Sequence, residues 1–417
     1  MRKRDTIKLI SLFILIFFVS SLAGVLIYLR TRESETYTVK LYFYEPIPKE
    51  LVPVEENFRG SIESITRQVF ETLKAPRVSA YFPTIPKELT LDFAKYQNQN
   101  QTLTINILTN GAKKTAKEEY IAFLSLANSL KSIKGVNNLK ILINSRENDV
   151  FLRYVNINET LSNLTSTLPK FKTVYLYFLT PDLNYLAVEK REILDADKPE
   201  VLAMEILNEL SYGSNIGLVS LLKPEYVRSI ELKSGGLATV NLSNSINQLS
   251  LGSYTANLFV LSIVNSLTEI ADIQKVSFNI DGNKIDTLFG TVDVSLPLAR
   301  FNAMPNISFI IPYYVLPLNG NVAYVPVVIP TKTTDLTKIF EELKKPRENL
   351  KTYLNDVDIK KIEVKGYTLK IVLASKKVLS AEEIDYIKKQ VFLTTMELPN
   401  INTLDLTIGE EGFLLTR

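Results

Sequence analysis

Val174–Thr180 reads VYLYFLT, a β-branched and aromatic run with the composition of a strand. Similar runs begin 135 residues to either side: VKLYFYE at Val39–Glu45 and FIIPYYV at Phe309–Val315. Self-similarity at a fixed period is the signature of internal repeats, and it sets the fold before any single element is assigned. The same succession follows each run. A second strand comes first: LVPVEENF from Leu51, LAVEKREI from Leu186 and VAYVPVVI from Val322. An amphipathic helix comes next: SIESITRQVFETLKAP from Ser61, KPEVLAMEILNELSYG from Lys198 and TTDLTKIFEELKKP from Thr333. In the second of these Val201, Leu202, Ile206, Leu207 and Leu210 recur near 3.6 residues, giving one apolar stripe. Ser61 and Thr334 suit N-caps, Pro199 suits a first turn, and Pro76, Gly213 and Pro346 stop the helices.

Two more strands and a polar turn come next, clearest in IKKIEVKGYTLKIVLA from Ile359, whose alternation marks a sheet with one wet face. A second helix (from Lys117, Ser253 and Ser380) and a last strand (from Asn138, Lys275 and Thr403) close each unit. The order ββαββαβ, three times over, predicts an α+β fold with tandem domains at 37–148, 173–303 and 306–412. Residues 149–172, with ETLSNLTSTLPK at their centre, read as a flexible Ser/Thr/Asn-rich linker. The shorter stretch 301–308 predicts that the second and third units pack as a pair.

Residues 1–30 read as a basic cytoplasmic tip and a transmembrane anchor. Ile7–Leu29, IKLISLFILIFFVSSLAGVLIYL, carries one charge, Lys8, and is long enough to cross a bilayer. Arg2, Lys3, Arg4 and Lys8 precede or open it, which places the N-terminus in the cytoplasm and the bulk of the chain outside. Ser21-Leu22-Ala23 offers a cleavage site, but the apolar run continues to Leu29, beyond the ~7–15 residues of a cleaved signal. The expectation is a single-pass cell-membrane protein.

The chain has no Cys, His or Trp. That excludes disulfides, thiolate and imidazole metal sites and His-dependent triads. With 48 basic and 45 acidic residues the net charge is +3, which is no footprint for nucleic acid. Glu55-Glu56, Glu341-Glu342 and Glu382-Glu383 are the acidic pairs to weigh as acid and base. Sequence neighbours on a helix do not face one another, and Glu382-Glu383 follows a residue suited to an N-cap, Ser380. Asp281, Asn283 and Asp286 match a calcium loop loosely and without its terminal Glu, so Asp281-Gly282 reads as a turn. Gly235-Gly236 likewise reads as a hairpin turn rather than a phosphate cradle. Sequons stand at Asn100, Asn158, Asn163, Asn241 and Asn306. The aromatic runs at 41–44 and 312–314 alternate as half core and half surface. Neither an enzyme, a cofactor nor a metal is expected.

The middle unit resembles the GerM domain of bacterial sporulation and spore-germination proteins. The resemblance rests on YLYF at Tyr175–Phe178, EILNEL at Glu205–Leu210, ATVNLS at Ala238–Ser243, the helix NLFVLSIVNSLTEI, KVSFNIDG at Lys275–Gly282 and SLPLAR ending at Arg300. Its motif positions are Tyr177, Phe178, Asn241, Ser243, Asp281, Gly282 and Arg300. The family usually carries Asp where Asn241 stands. The first and third units look like diverged copies, with NILTNG in the first where VNLS would be. The resemblance implies a non-catalytic envelope module, similar in fold to the ring-building motifs of sporulation channel proteins. The partners it implies are the membrane, envelope proteins or further copies of the chain. Peptidoglycan or another glycan, met by exposed Tyr and Asn, is the alternative partner, and a hydrolase is the third reading.

Overall fold

Strand and helix periods alternate along the chain, and the folded elements follow them. The computed structural model describes residues 19–22, 36–47, 49–110, 114–302, 309–331, 335–347 and 349–417. The anchor expected at Ile7–Leu29 lies outside these except for residues 19–22, which are helical; Asn306 and the cap expected at Thr334 also lie outside. Among the described residues no helix is long and apolar enough to cross a membrane.

The first repeat contains β1 (Thr36–Glu45), β2 (Glu50–Arg59), α1 (Ile62–Lys74), β3 (Thr90–Gln97), β4 (Thr102–Leu108), α2 (Ala116–Lys131), β5 (Asn138–Ile143), β6 (Arg146–Glu147) and α3 (Ile157–Ser162). The second contains β7 (Phe171–Leu179), β8 (Leu186–Leu194), α4 (Pro199–Tyr212), β9 (Val227–Lys233), β10 (Leu237–Leu242), α5 (Ser253–Leu267) and β11 (Lys275–Ile280). Four short strands extend it: β12 (Asn283–Lys284), β13 (Thr287–Leu288), β14 (Val292–Asp293) and β15 (Leu298–Ala299). The third contains β16 (Phe309–Ile310), β17 (Tyr313–Leu318), β18 (Asn321–Pro326), β19 (Ile329–Pro330), α6 (Leu336–Leu343), β20 (Val357–Lys365), β21 (Thr368–Ser375), α7 (Ala381–Met396), β22 (Thr403–Ile408) and β23 (Glu411–Thr416).

Local chemistry starts and stops these elements as the sequence requires. The Ser61 hydroxyl accepts from the Ser64 N–H at 3.3 Å to open α1. Thr115 and Ser380 form capping boxes with Glu118 and Glu383. The cap of α6 is Asp335, whose carboxylate takes the Thr337 N–H at 2.9 Å. Gly235 and Gly236, both at positive φ, turn β9 into β10.

Each repeat builds one mixed sheet. Its hairpin is antiparallel (β3–β4, β9–β10, β20–β21), and the second helix carries the chain over to a parallel neighbour (β4–β5, β10–β11, β21–β22). The first two strands of each repeat pair outside that sheet. The second helix covers their free edge with side chains. The N–H of Tyr42 donates to the Ser129 hydroxyl at 2.9 Å, that of Tyr177 to Ser266 at 2.8 Å and that of Tyr313 to Thr394 at 3.0 Å. The carbonyls of Tyr42 and Tyr313 accept in turn from the Ser125 hydroxyl and the Gln390 amide. Backbone groups that would template another chain are thereby satisfied within the repeat.

The three repeats make two compact units, residues 1–171 and 172–417. Repeats two and three form one unit because their first strands share a four-stranded sheet in the order β17-β18-β8-β7, with Tyr324 paired to Val188. Both faces of that sheet are buried. Leu176, Phe178, Tyr314 and Val325 belong to the main core, while Tyr177, Leu179, Val188, Tyr313 and Val315 form a second cluster with Leu258, Phe301 and Leu393.

The linker expected at 149–172 is instead packed onto the first unit. Phe151, Val155 and Ile157 are in its core, and Leu161, Leu164 and Leu168 lie against it. Apolar residues spaced among the Ser, Thr and Asn supply that anchoring. A carboxylate completes it: Glu119, fully buried in α2, accepts the backbone N–H groups of Leu152, Arg153, Tyr154 and Val155 at 2.8–3.1 Å. Glu119→Ala leaves those donors without their acceptor and is expected to destabilise residues 36–171 by about 2–3 kcal/mol. Amide exchange of 152–155 should accelerate before that of β4; unchanged protection at 152–155 would show that the loop is held by its apolar residues alone.

Candidate functional site

The motif positions gather into two clusters on the second repeat. The first lies at the ends of β10 and β11. Asp281 and Gly282 have φ of 45° and 83°, a two-residue turn between Ile280 and Asn283. Asn241 Oδ1 accepts the Gly282 N–H at 2.8 Å, so the side chain at the end of β10 locks the turn after β11. An Asp at this position would accept the same hydrogen bond. The Ser243 hydroxyl caps a short 3-10 turn through Ser245 N–H at 3.3 Å and accepts from Arg228 at 3.1 Å. Arg228 also pairs with Asp281 at 3.6 Å, and the Asn244 N–H donates to Asp281 Oδ2 at 3.3 Å. The first repeat has the same lock: Asn106 Oδ1 accepts the Ser145 N–H at 2.8 Å. Its NILTNG therefore keeps the motif's function in a changed sequence. In the third repeat Val372 occupies the register position, and the lock is absent there.

The second cluster lies where repeats two and three meet. Tyr177 on β7 and Tyr313 on β17 touch hydroxyl to hydroxyl at 2.7 Å. Their positions correspond, because each docks through its N–H on the second helix of its own repeat. Glu269 and Glu397 correspond likewise, each just beyond the C-terminus of that helix. A carboxylate at a helix C-terminus faces the negative end of the macrodipole and is unfavourable alone. Arg300 resolves both. It donates to Glu397 through Nε at 2.9 Å and Nη2 at 2.7 Å, and to Glu269 at 2.6 Å. It also donates to the Tyr177 hydroxyl at 2.6 Å, the Asn265 carbonyl at 2.7 Å and the Thr268 hydroxyl at 3.3 Å. The Tyr313 hydroxyl donates to Glu397 at 2.8 Å. Arg417 adds a second guanidinium 3.3 Å from Glu269.

The electrostatics follow from burial and from Arg300. Burial pushes the Tyr177 and Tyr313 phenols well above their ordinary range, so both stay protonated donors. Burial raises Glu269, with Arg300 and Arg417 opposing it. Burial acts upward on Glu397 too, but the attraction of Arg300 and the hydrogen bonds from Arg300 and Tyr313 hold it below the carboxylate range. Phe178, the remaining motif residue, is core: the Arg191 guanidinium sits 5.5 Å from its ring centre.

The other candidates are placed as follows. Glu382 and Glu383 occupy the first turn of α7, where Lys377 and the Ser380 cap hold Glu383 down at about 2. Glu342 pairs with Lys345 and Arg347, and Glu341 with Lys344. Glu55 and Glu56 are consecutive on β2. Asp281 stands in the turn after β11 and Asn283 on the short strand that follows it, and among the described residues no group of three acids could hold a metal ion. Sequence reasoning missed Glu119, the Glu269–Glu397 pair and a buried triad, Glu189–Arg191–Glu209. The triad's residues look like ordinary surface charge in the strand run and the helix that carry them.

A family model described as Germane, sporulation and spore germination, matches residues 40–149 and 175–286. The tandem GerMN domains of the sporulation protein GerM from Bacillus subtilis are 18% identical, with a TM-score of 0.46, over 60% of this chain and 97% of that one. A chain described as a lipoprotein from Clostridium perfringens is 26% identical over 32% of this chain and 89% of its own, with a TM-score of 0.23. The first GerMN domain of GerM alone is 20% identical over 31% of this chain and 98% of its own, with a TM-score of 0.27. No curated protein sequence matches the chain. With over half of its residues matched, and with the two matched stretches sharing one order of elements and one asparagine lock, the chain belongs to the Germane family of sporulation and spore germination.

Proposed function

We propose that the chain is a non-catalytic module of sporulation or germination, held by Ile7–Leu29 in the cell membrane and acting outside the cytoplasm through contacts with envelope proteins or further copies of itself. The third repeat, which carries the same order of elements, is a further diverged GerM-like domain in this reading. One observation carries it: the polar residues of the motif are consumed in locks. Arg300 spends its donors on Glu269, Glu397, Tyr177, Asn265 and Thr268, and Asn241 holds the turn at Gly282. Residues so engaged hold a surface in shape rather than turn over a substrate.

The test is complementation in a sporulating host lacking the chain. Full-length protein and the Glu382→Gln/Glu383→Gln variant should both restore spore formation or germination. A form exported behind a cleavable leader, without the anchor, should not. Phosphatase fused after Arg417 should be active, as required of an exported C-terminus. Loss of function in the glutamine variant, or an inactive phosphatase, would overturn the reading.

A further inference from the structure

We propose that a groove on the second repeat is a binding site for a neutral, hydroxyl-rich glycan, an inference independent of the assembly reading above. The groove has a volume of about 390 Å³ and runs between α5 and the β13–β14 hairpin with β15. That volume falls at the small end of ligand sites, roughly 300–1,000 Å³. Tyr254 and Asn257 stand one helical turn apart on α5, facing Thr291 and Asp293 on the hairpin, over a floor that includes Leu261 and Leu298.

The chemistry of this lining selects its ligand. Tyr254 is 58% exposed, yet its hydroxyl is tethered to the Asn184 carbonyl at 2.6 Å, so the side chain is positioned while more than half of the residue stays open to solvent. A fixed aromatic plane beside an apolar floor suits the C–H face of a pyranose. Amide, carboxylate and hydroxyl groups around it suit sugar hydroxyls, which both donate and accept. Asp293 is held below the ordinary carboxylate range by the Ser295 hydroxyl and N–H, both on Oδ1, which leaves Oδ2 to accept from a ligand. None of the described lining residues is Lys or Arg, so an anionic ligand finds no counter-charge.

The walls are also rigid. Phe289 at the hairpin tip packs edge-on against Phe259 of α5 with ring centres 5.4 Å apart, and Leu288 is fully buried. The Val294 N–H closes the hairpin base on the Asp286 carbonyl at 2.9 Å. A preformed cleft loses little entropy on binding.

The experiment titrates the full-length chain with maltohexaose and with chitohexaose, followed by calorimetry and by saturation-transfer NMR on the sugar. At least one sugar should bind with a Kd on the order of 1 mM or tighter. Tyr254→Ala should weaken binding about tenfold, as loss of an aromatic anchor does. Asn257→Ala, at an exposed helix position, should weaken it several-fold, and Val378→Ala, 96% exposed on the third repeat, should leave it unchanged. No saturation transfer to either sugar, or equal binding by the Tyr254 and Asn257 variants, would overturn the proposal. So would calorimetric binding of a neutral hexapeptide where neither sugar binds, which would reassign the groove to peptide.

Discussion

Arg300→Ala should lower the stability of residues 172–417 by about 3–5 kcal/mol, the usual cost of leaving buried carboxylates without their cation. For a unit of this size that is a fall in Tm on the order of 10 °C. Glu269 and Glu397 are 5% and 9% exposed, so water cannot replace the guanidinium at either. Arg300→Lys should recover only part of the loss, because an ammonium has three donors and no fork to span two carboxylates and a phenol. The two glutamates should behave differently despite their corresponding positions. Glu397 is depressed below 4.5 in the folded state, so its contribution is present above 4.5 and lost as pH falls through the folded value. Glu269 is raised, so its contribution is complete below 4.5 and lost as pH rises through the folded value. At pH 7 Glu397→Gln should therefore cost more than Glu269→Gln, and only the Glu397 cost should shrink on acidification. Urea titrations of the variants at pH 7 and pH 4 measure this; equal costs at both pH values would refute the assignment.

Arg191→Ala should be at least as damaging. Arg191 is 1% exposed and lies between Glu189 and Glu209, which are 5% and 0% exposed. It also donates to the Gly213 carbonyl at 3.2 Å, which closes the end of α4. The loss should again be about 3–5 kcal/mol, read as a shift in the thermal transition. The triple variant Glu189→Leu/Arg191→Met/Glu209→Leu should recover part of it, since a buried triad gives little net stability over apolar residues of similar size. Recovery should fall short by about 1–3 kcal/mol, because the Ser214 hydroxyl and the Asn215 N–H would lose Glu189 as acceptor. A triple variant no better than Arg191→Ala would mean that packing around the triad, and not charge, sets its cost.

The repeat order was legible because strands and helices have different periods and the three copies report the same succession. The turns at Gly235-Gly236 and Asp281-Gly282 were legible because positive φ restricts which residues can stand there. The clusters were not, and the reasons are specific. LAVEKREI carries four consecutive charges, Glu189 to Glu192, and reads as a solvated stretch, whereas β8 lies inside a shared sheet with both faces covered, so Glu189 and Arg191 are buried. Glu118-Glu119 looks like a pair of first-turn acids; only Glu118 acts as one, and Glu119 turns inward to a loop more than thirty residues ahead. Arg300 was singled out by motif, but its partners stand 123 and 97 residues away at Tyr177 and Glu397, and no local pattern joins them.

The shared sheet of repeats two and three separates the unit of inheritance from the unit of stability. A duplication copies about one period, 135 residues from Val39 to Val174 and again to Phe309. The piece that holds together runs from 172 to 417. A gene fragment cut at the repeat boundary would strip β17 and β18 from β8 and lay bare Tyr177, Leu179 and Val188. Repeats two and three are therefore inherited usefully only as a pair, since each supplies strands to the sheet that the other needs.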